Sequence, residues 1–141
     1  MKKILIINAN YYNEITIKLI KSAKLVFKNK NHSVELLNVP GVFEIPIAIR
    51  KNIKKFDAFI ALGCVIKGKT PHFDLICKST FDAIQSLAVT FNKPISNGII
   101  TAYNKKQAYE RCGKIKSNKP NKGTEAAFAV LSILSNATKK I

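Results

Sequence analysis

His72 is one of two histidines in the chain and closes the stretch Gly63-Cys64-Val65-Ile66-Lys67-Gly68-Lys69-Thr70-Pro71-His72. An imidazole is the side chain suited to moving protons near neutral pH. Before it lies a basic turn around Gly68, and from about residue 72 to 92 the pattern is that of an amphipathic helix. A helix start offers backbone N–H groups and a partial positive charge, which suits a phosphate. Turn, helix start and imidazole together point to proton transfer on an anionic substrate. The plainer reading is a solvated loop with a surface histidine, because short glycine patterns recur by accident.

Something must hold that loop. Ala58-Phe59-Ile60-Ala61-Leu62, with Val65-Ile66 behind it, reads as a buried parallel strand over residues 57–66. Residues 3–9 read as another. Met1-Lys2-Lys3 resembles the start of a signal peptide, but the apolar run stops at Asn8 with no cleavage pattern after it. Ile17, Ile20, Lys21, Lys24, Leu25 and Lys28 fit an amphipathic helix that Asn13 or Thr16 can cap. Residues 33–39 alternate as a strand, and Pro40-Gly41 is a turn. Residues 43–53 read as a helix with Ile45, Ala48, Ile49 and Ile53 inward and Pro46 in its first turn. Residues 94–101 form a fourth strand and residues 104–111 a short helix. A polar, lysine-rich connection spans 112–120. The last helix, 121–137, has Ala126, Ala127, Val130, Leu131 and Leu134 on its apolar face.

Alternating strands and helices predict a three-layer α/β/α sandwich with a four-stranded parallel sheet and right-handed crossovers. Ligands of such sheets bind beyond the carboxyl ends of the strands. Asn10-Tyr11-Tyr12, Gly41-Val42-Phe43-Glu44 and the turn before His72 occupy those ends. Aromatic, carboxylate, basic and imidazole groups then converge.

The 141 residues, 47% of them hydrophobic, suffice for one domain over 1–141 with a full core. No apolar run approaches the roughly 20 residues that span a bilayer. Cys64, Cys77 and Cys112 are odd in number and lack metal-ligand spacing, which fits a reducing cytoplasm and no metal site. Cys64 and Cys77 fall on apolar patterns and read as core. The net charge of +16 raises the question of nucleic acid. Arg50 and Arg111 are the only arginines, however, and the lysines run from Lys2 to Lys140 rather than forming one arm. The excess reads as solvated surface that concentrates anionic substrates.

Five ordered motifs carry a resemblance over nearly the whole chain. They are Val39-Pro40-Gly41-Val42-Phe43-Glu44-Ile45-Pro46, Gly63 through Asp74, Asn97-Gly98-Ile99-Ile100-Thr101, Gln107-Ala108-Tyr109-Glu110-Arg111, and Asn121-Lys122-Gly123-Thr124-Glu125-Ala126-Ala127. In these the chain resembles the lumazine synthases of riboflavin biosynthesis, which have a flavodoxin-like sheet. The resemblance implies a cofactor-free transferase. It condenses 5-amino-6-(D-ribitylamino)uracil with 3,4-dihydroxy-2-butanone 4-phosphate to give 6,7-dimethyl-8-ribityllumazine, phosphate and water. By motif position, Tyr11 takes the place of an aromatic that stacks on the pyrimidine. Val42, Phe43 and Glu44 line the ribityl pocket, and Cys64, Val65 and Ile66 hold the pyrimidine edge. Lys69 and Thr70 bind the sugar phosphate, and His72 transfers protons. Asn97 and Arg111 come from a neighbouring subunit, Asn97 facing the ring and Arg111 gripping phosphate. That arrangement implies a homopentamer with sites between adjacent subunits.

Three departures accompany the match. Lys69 stands where the family often has an acidic or small residue. The chain begins almost at its first sheet strand. The connection 112–120 is longer than the common pattern and contains Pro120, which speaks against closure into the sixty-subunit capsid of some relatives. Rival readings are a flavin or lumazine carrier of the same fold without turnover, and a basic nucleic-acid-binding domain. Each marked residue also has an ordinary use: Phe43 as core, Glu44 favouring a helix start, Arg111 at a helix end. His32 has no assigned role.

Overall fold

A computed structural model describes residues 1–113 and 120–141. Its strands are β1 (Lys2–Ala9), β2 (His32–Val39), β3 (Ala58–Ile66) and β4 (Ile95–Ala102). All pairings are parallel, and the order across the sheet is β2-β1-β3-β4. The helices are α1 (Asn13–Phe27), α2 (Ile45–Asn52), α3 (His72–Phe91), α4 (Lys105–Glu110) and α5 (Lys122–Leu134). The predicted α/β sandwich is therefore present.

Period-two alternation divides the core. Ile4, Ile6, Ala58, Ile60, Leu62 and Ile100 face α1 and α5. Leu5, Ile7, Phe59, Ala61 and Ile99 face α2 and α3. Central β1 and β3 are covered on both faces, which is why they read as unbroken apolar runs. β2 is an edge strand, and Leu36 and Leu37 on it stay exposed.

Five expectations need correction. Ile17 and Leu25 of α1 are 45% and 56% exposed; the inward face carries Ile15, Thr16, Leu19, Ser22, Ala23 and Val26. The reason lies in α5. A Cβ on Gly123 would collide with the backbone of Leu19, so α5 lies against the Leu19 face of α1, and Ile17 and Leu25 point away from that contact. Neither Asn13 nor Thr16 caps α1. Tyr12 holds the N-cap position, its carbonyl accepts from Ile15 and Thr16 N–H, and Thr16 is fully buried. The helix predicted from Phe43 begins instead as a tight 3-10 turn, Val42–Glu44, with α2 starting at Ile45 and Pro46 in its first turn. Cys77 is half-buried rather than core, because α3 turns Ile76, Thr80, Ile84 and Leu87 inward and Cys77 to the side. Cys112, read as part of a polar connection, is buried. Residues 114–119 of that connection lie outside the described residues. No helix among the described residues is long and apolar enough to cross a membrane.

Candidate active site

A cavity of about 450 Å³ opens at the carboxyl ends of β1 and β3. This is the point where the strand order reverses, the crevice at which parallel α/β sheets take ligands. Three chain segments build it. Tyr11 and Tyr12 follow β1; Gly41, Val42, Phe43 and Glu44 follow β2; Cys64, Val65 and Ile66 end β3, with His72 and Ile76 on α3.

Each segment is held by packing or backbone bonds. Asn10 N–H donates to Val39 O at 3.0 Å, tying the tyrosine loop to the end of β2. Gly63 brings the second segment against β3. A Cβ there would sit 2.8 Å from Val42 Cγ2 and 3.3 Å from Ala9 Cβ, so only glycine lets Val42 close over the strand ends. Glu44 N–H donates to Gly41 O at 3.2 Å, and the Glu44 carboxylate folds back until Oε2 is 2.9 Å from where a Gly41 Cβ would stand. On α3, Pro71 holds the N-cap position and its carbonyl accepts from Leu75 N–H at 3.2 Å. His72 N–H reaches Thr70 Oγ1 at 3.4 Å, leaving the imidazole exposed at the cavity mouth. Gly68 needs no special backbone: its φ is not positive, and open space lies where its Cβ would be.

Eight of the twelve expected site residues therefore share one cavity: Tyr11, Val42, Phe43, Glu44, Cys64, Val65, Ile66 and His72. Lys69 and Thr70 are exposed on the neighbouring loop and do not line it. Asn97 is exposed on β4 and accepts Ile99 N–H at 3.0 Å. Arg111 ends α4, exposed, with Nη1 3.4 Å from Gln107 O. Neither contributes to the cavity within one chain. Three further residues line it: Tyr12 and Gly41, which the sequence places at the strand ends without a role of their own, and Ile76, which sequence reasoning missed. Ile76 had a signal, since it is four residues after His72 and hence on the same helix face. Gly41 lay within a quoted motif, and Tyr12 next to Tyr11.

The lining is mostly apolar and aromatic, with one carboxylate and one imidazole to orient a ligand, the usual make-up of a small-molecule site. Burial pushes the Cys64 thiol up to about 12, with smaller contributions from the charges of Cys112 and Glu14. It stays a neutral thiol and is no nucleophile at neutral pH. Burial also raises Tyr12, helped by the charges of Tyr11, Cys64 and Glu14, so its hydroxyl remains a donor. Beside the cavity, Lys67 Nζ lies 5.3 Å from the Tyr103 ring centroid, a cation–π contact that anchors the start of the basic loop. Among the described residues no three His, Cys, Asp or Glu side chains gather as a metal-ligand set.

The family model for 6,7-dimethyl-8-ribityllumazine synthase matches residues 1–138. The 6,7-dimethyl-8-ribityllumazine synthase of Campylobacter jejuni strain RM1221 is 41% identical over 144 residues, covering 99% of this chain and 91% of the relative. That of Campylobacter lari is 41% identical over 145 residues, covering 99% and 90%. That of Sulfurospirillum multivorans is 38% identical over 139 residues, covering 95% and 87%. A match of this extent, on a chain whose strand-end loops build one apolar cavity with a carboxylate and an imidazole, fixes the kinship: the protein belongs to the 6,7-dimethyl-8-ribityllumazine synthase family.

Proposed function

We propose that the chain, acting as one domain, condenses 5-amino-6-(D-ribitylamino)uracil with 3,4-dihydroxy-2-butanone 4-phosphate to give 6,7-dimethyl-8-ribityllumazine, phosphate and water. The observation that carries this reading is the convergence of Tyr11, Glu44 and His72, from three separate segments, on one cavity. Tyr11 stacks on the pyrimidine, Val42, Phe43 and Glu44 receive the ribityl chain, and the carboxylate accepts its hydroxyl hydrogen bonds. Cys64, Val65 and Ile66 line the pyrimidine edge, and the neutral Cys64 thiol takes no covalent part.

The primary amine attacks the ketone and an imine forms with loss of water. Phosphate leaves by elimination, and ring closure expels a second water. Each step moves a proton, and His72 at the cavity mouth is the group placed to carry it. Holding two reactants in contact supplies part of the rate. The departing phosphate is met by the start of α3, by Lys69 and Thr70, and by the guanidinium of Arg111.

Arg111 and Asn97 act from the adjacent subunit of a cytoplasmic homopentamer. Their exposure outside the cavity of their own chain supports this assignment. So does the apolar surface around the cavity and along α3: Phe43, Ile47, Leu75 and Val89 are 63%, 59%, 66% and 72% exposed. Uncovered apolar area of this kind marks protein contact surfaces. Incubation with both substrates tests the reaction. Appearance of the lumazine chromophore and of inorganic phosphate in equal amounts is expected; binding of lumazine without turnover would reduce the protein to a carrier.

A further inference from the structure

Tyr11 is 75% exposed, yet its ring meets that of Tyr12 edge to face, with centroids 5.0 Å apart and planes at 83°. Tyr12 is the better anchored of the two. It holds the N-cap position of α1, its carbonyl accepts two helix N–H groups at 3.0 Å, and its side chain packs against the cluster that contains Ile15, Cys64 and Ala126. It also lines the cavity. A perpendicular pair leaves at least one face of the Tyr11 ring uncovered by its neighbour, whichever ring supplies the edge. A stacking ring on an exposed loop must otherwise be ordered each time a ligand binds, which weakens binding. We infer that Tyr12 is a positioning residue for the reaction: its core-anchored ring fixes the plane of Tyr11 on which the heterocyclic substrate stacks.

The inference rests on the reading of the cavity as the ribitylamino-pyrimidine site. It assigns the ring of Tyr12, not its hydroxyl, and it requires Tyr12 to act through Tyr11. Five variants separate these points: Tyr12→Ala, Tyr12→Phe, Tyr12→Leu, Tyr11→Ala and the double variant Tyr11→Ala/Tyr12→Ala, which closes a mutant cycle. Steady-state kinetics are read for each substrate separately. The expected result for Tyr12→Ala is a KM for the pyrimidine raised about three- to tenfold, the size of one aromatic pair, with kcat and the KM for the butanone phosphate within about twofold. Tyr12→Phe restores the pyrimidine KM, because the ring remains. Tyr12→Leu fills the core contact without an aromatic ring and behaves like Tyr12→Ala, so a packing defect in the alanine variant does not decide the outcome. In the Tyr11→Ala background, Tyr12→Ala adds nothing. Additive losses in the double variant, a Tyr12→Phe as weak as Tyr12→Ala, or equal changes in both KM values would overturn the inference while leaving the reaction intact. Absence of turnover in the unmodified protein would overturn both.

Discussion

The backbone N–H of Lys122 donates to the carbonyl of Arg111 at 2.8 Å, so the first residue of α5 fixes the residue that ends α4. Asn121 reinforces the junction. Its Nδ2 donates to Ser22 Oγ at 3.0 Å and to Gly113 O, while its Oδ1 caps α5 by accepting Thr124 N–H at 2.9 Å. The backbone of Arg111 is thus tied to the α1–α5 side of the sandwich, and its guanidinium projects from a surface.

Because that guanidinium is exposed, replacing it costs the fold little. Arg111→Ala is expected to raise the KM for the butanone phosphate by about tenfold or more, in line with roughly 1.5–3 kcal/mol for a charge-assisted hydrogen bond. The pyrimidine KM should hold. Arg111→Lys recovers part of the loss, since an ammonium lacks the two-pronged fork. Thermal denaturation beside the kinetics checks the premise: a melting temperature lowered by many degrees would assign the residue to folding or assembly instead.

His72→Ala is expected to lower kcat roughly a hundredfold, the usual contribution of a general acid–base group, while pyrimidine affinity stays near that of the unmodified protein. The imidazole stands at the cavity mouth and its backbone is held through the α3 start, so truncation opens no core void. Single-turnover rates across the pH range measure it. An unaltered rate and pH profile would remove His72 from the proton path.

The sheet was legible because its central strands are buried on both faces and carry unbroken apolar runs, Ile4 to Ile7 and Ala58 to Leu62. The cavity was legible because the order of the strand-end loops places Tyr11, Glu44 and His72 at one end of a parallel sheet. What escaped was set by tertiary contacts. Ile17 and Leu25 look like the apolar face of α1 until Gly123 of α5 is found against Leu19. Tyr12 stands in the strand-end loop with no role of its own until its edge-to-face geometry with Tyr11 is known. Cys112 sits in a stretch of polar neighbours, and nothing local marks it as buried.

The buried thiols give the fold an alkaline limit. An ordinary thiol ionises near 9.0, whereas Cys64 in the folded protein does so only at about 12. Between those values the folded state keeps a proton that the unfolded state has released. Stability is therefore fully present below pH 9 and falls as pH rises, at most by about 1.4 kcal/mol per pH unit for one such group. Cys77, Cys112 and Tyr12, all raised chiefly by burial, act in the same direction. Urea midpoints at pH 8, 9, 10 and 11 should decline, and Cys64→Ala should decline less steeply. Parallel slopes for the two proteins would show that Cys64 is not the group responsible.

The last expectation concerns assembly. A site that takes His72 from one chain and Arg111 from the next needs a head-to-tail contact, and such contacts close into a ring when the rotation between subunits permits. Phe43 and Ile47 border a second cavity of about 420 Å³ whose lining includes the buried Thr80, with Oγ1 lacking a partner. Elsewhere on α3, Leu75 and Val89 are also exposed apolar residues. Ring formation buries such surface without requiring any contact between rings. A closed sixty-subunit shell needs those further contacts, and two features oppose them. The family resemblance implies that the connection 112–120 is longer than in shell-forming members, and the net charge of +16 makes rings repel one another at low salt. Light scattering discriminates cleanly: five chains of 15.7 kDa give roughly 79 kDa, and a shell is about twelve times heavier. A monomer at working concentration would break the shared-site reading, and hollow spheres in electron micrographs would show that the longer connection is no obstacle to closure.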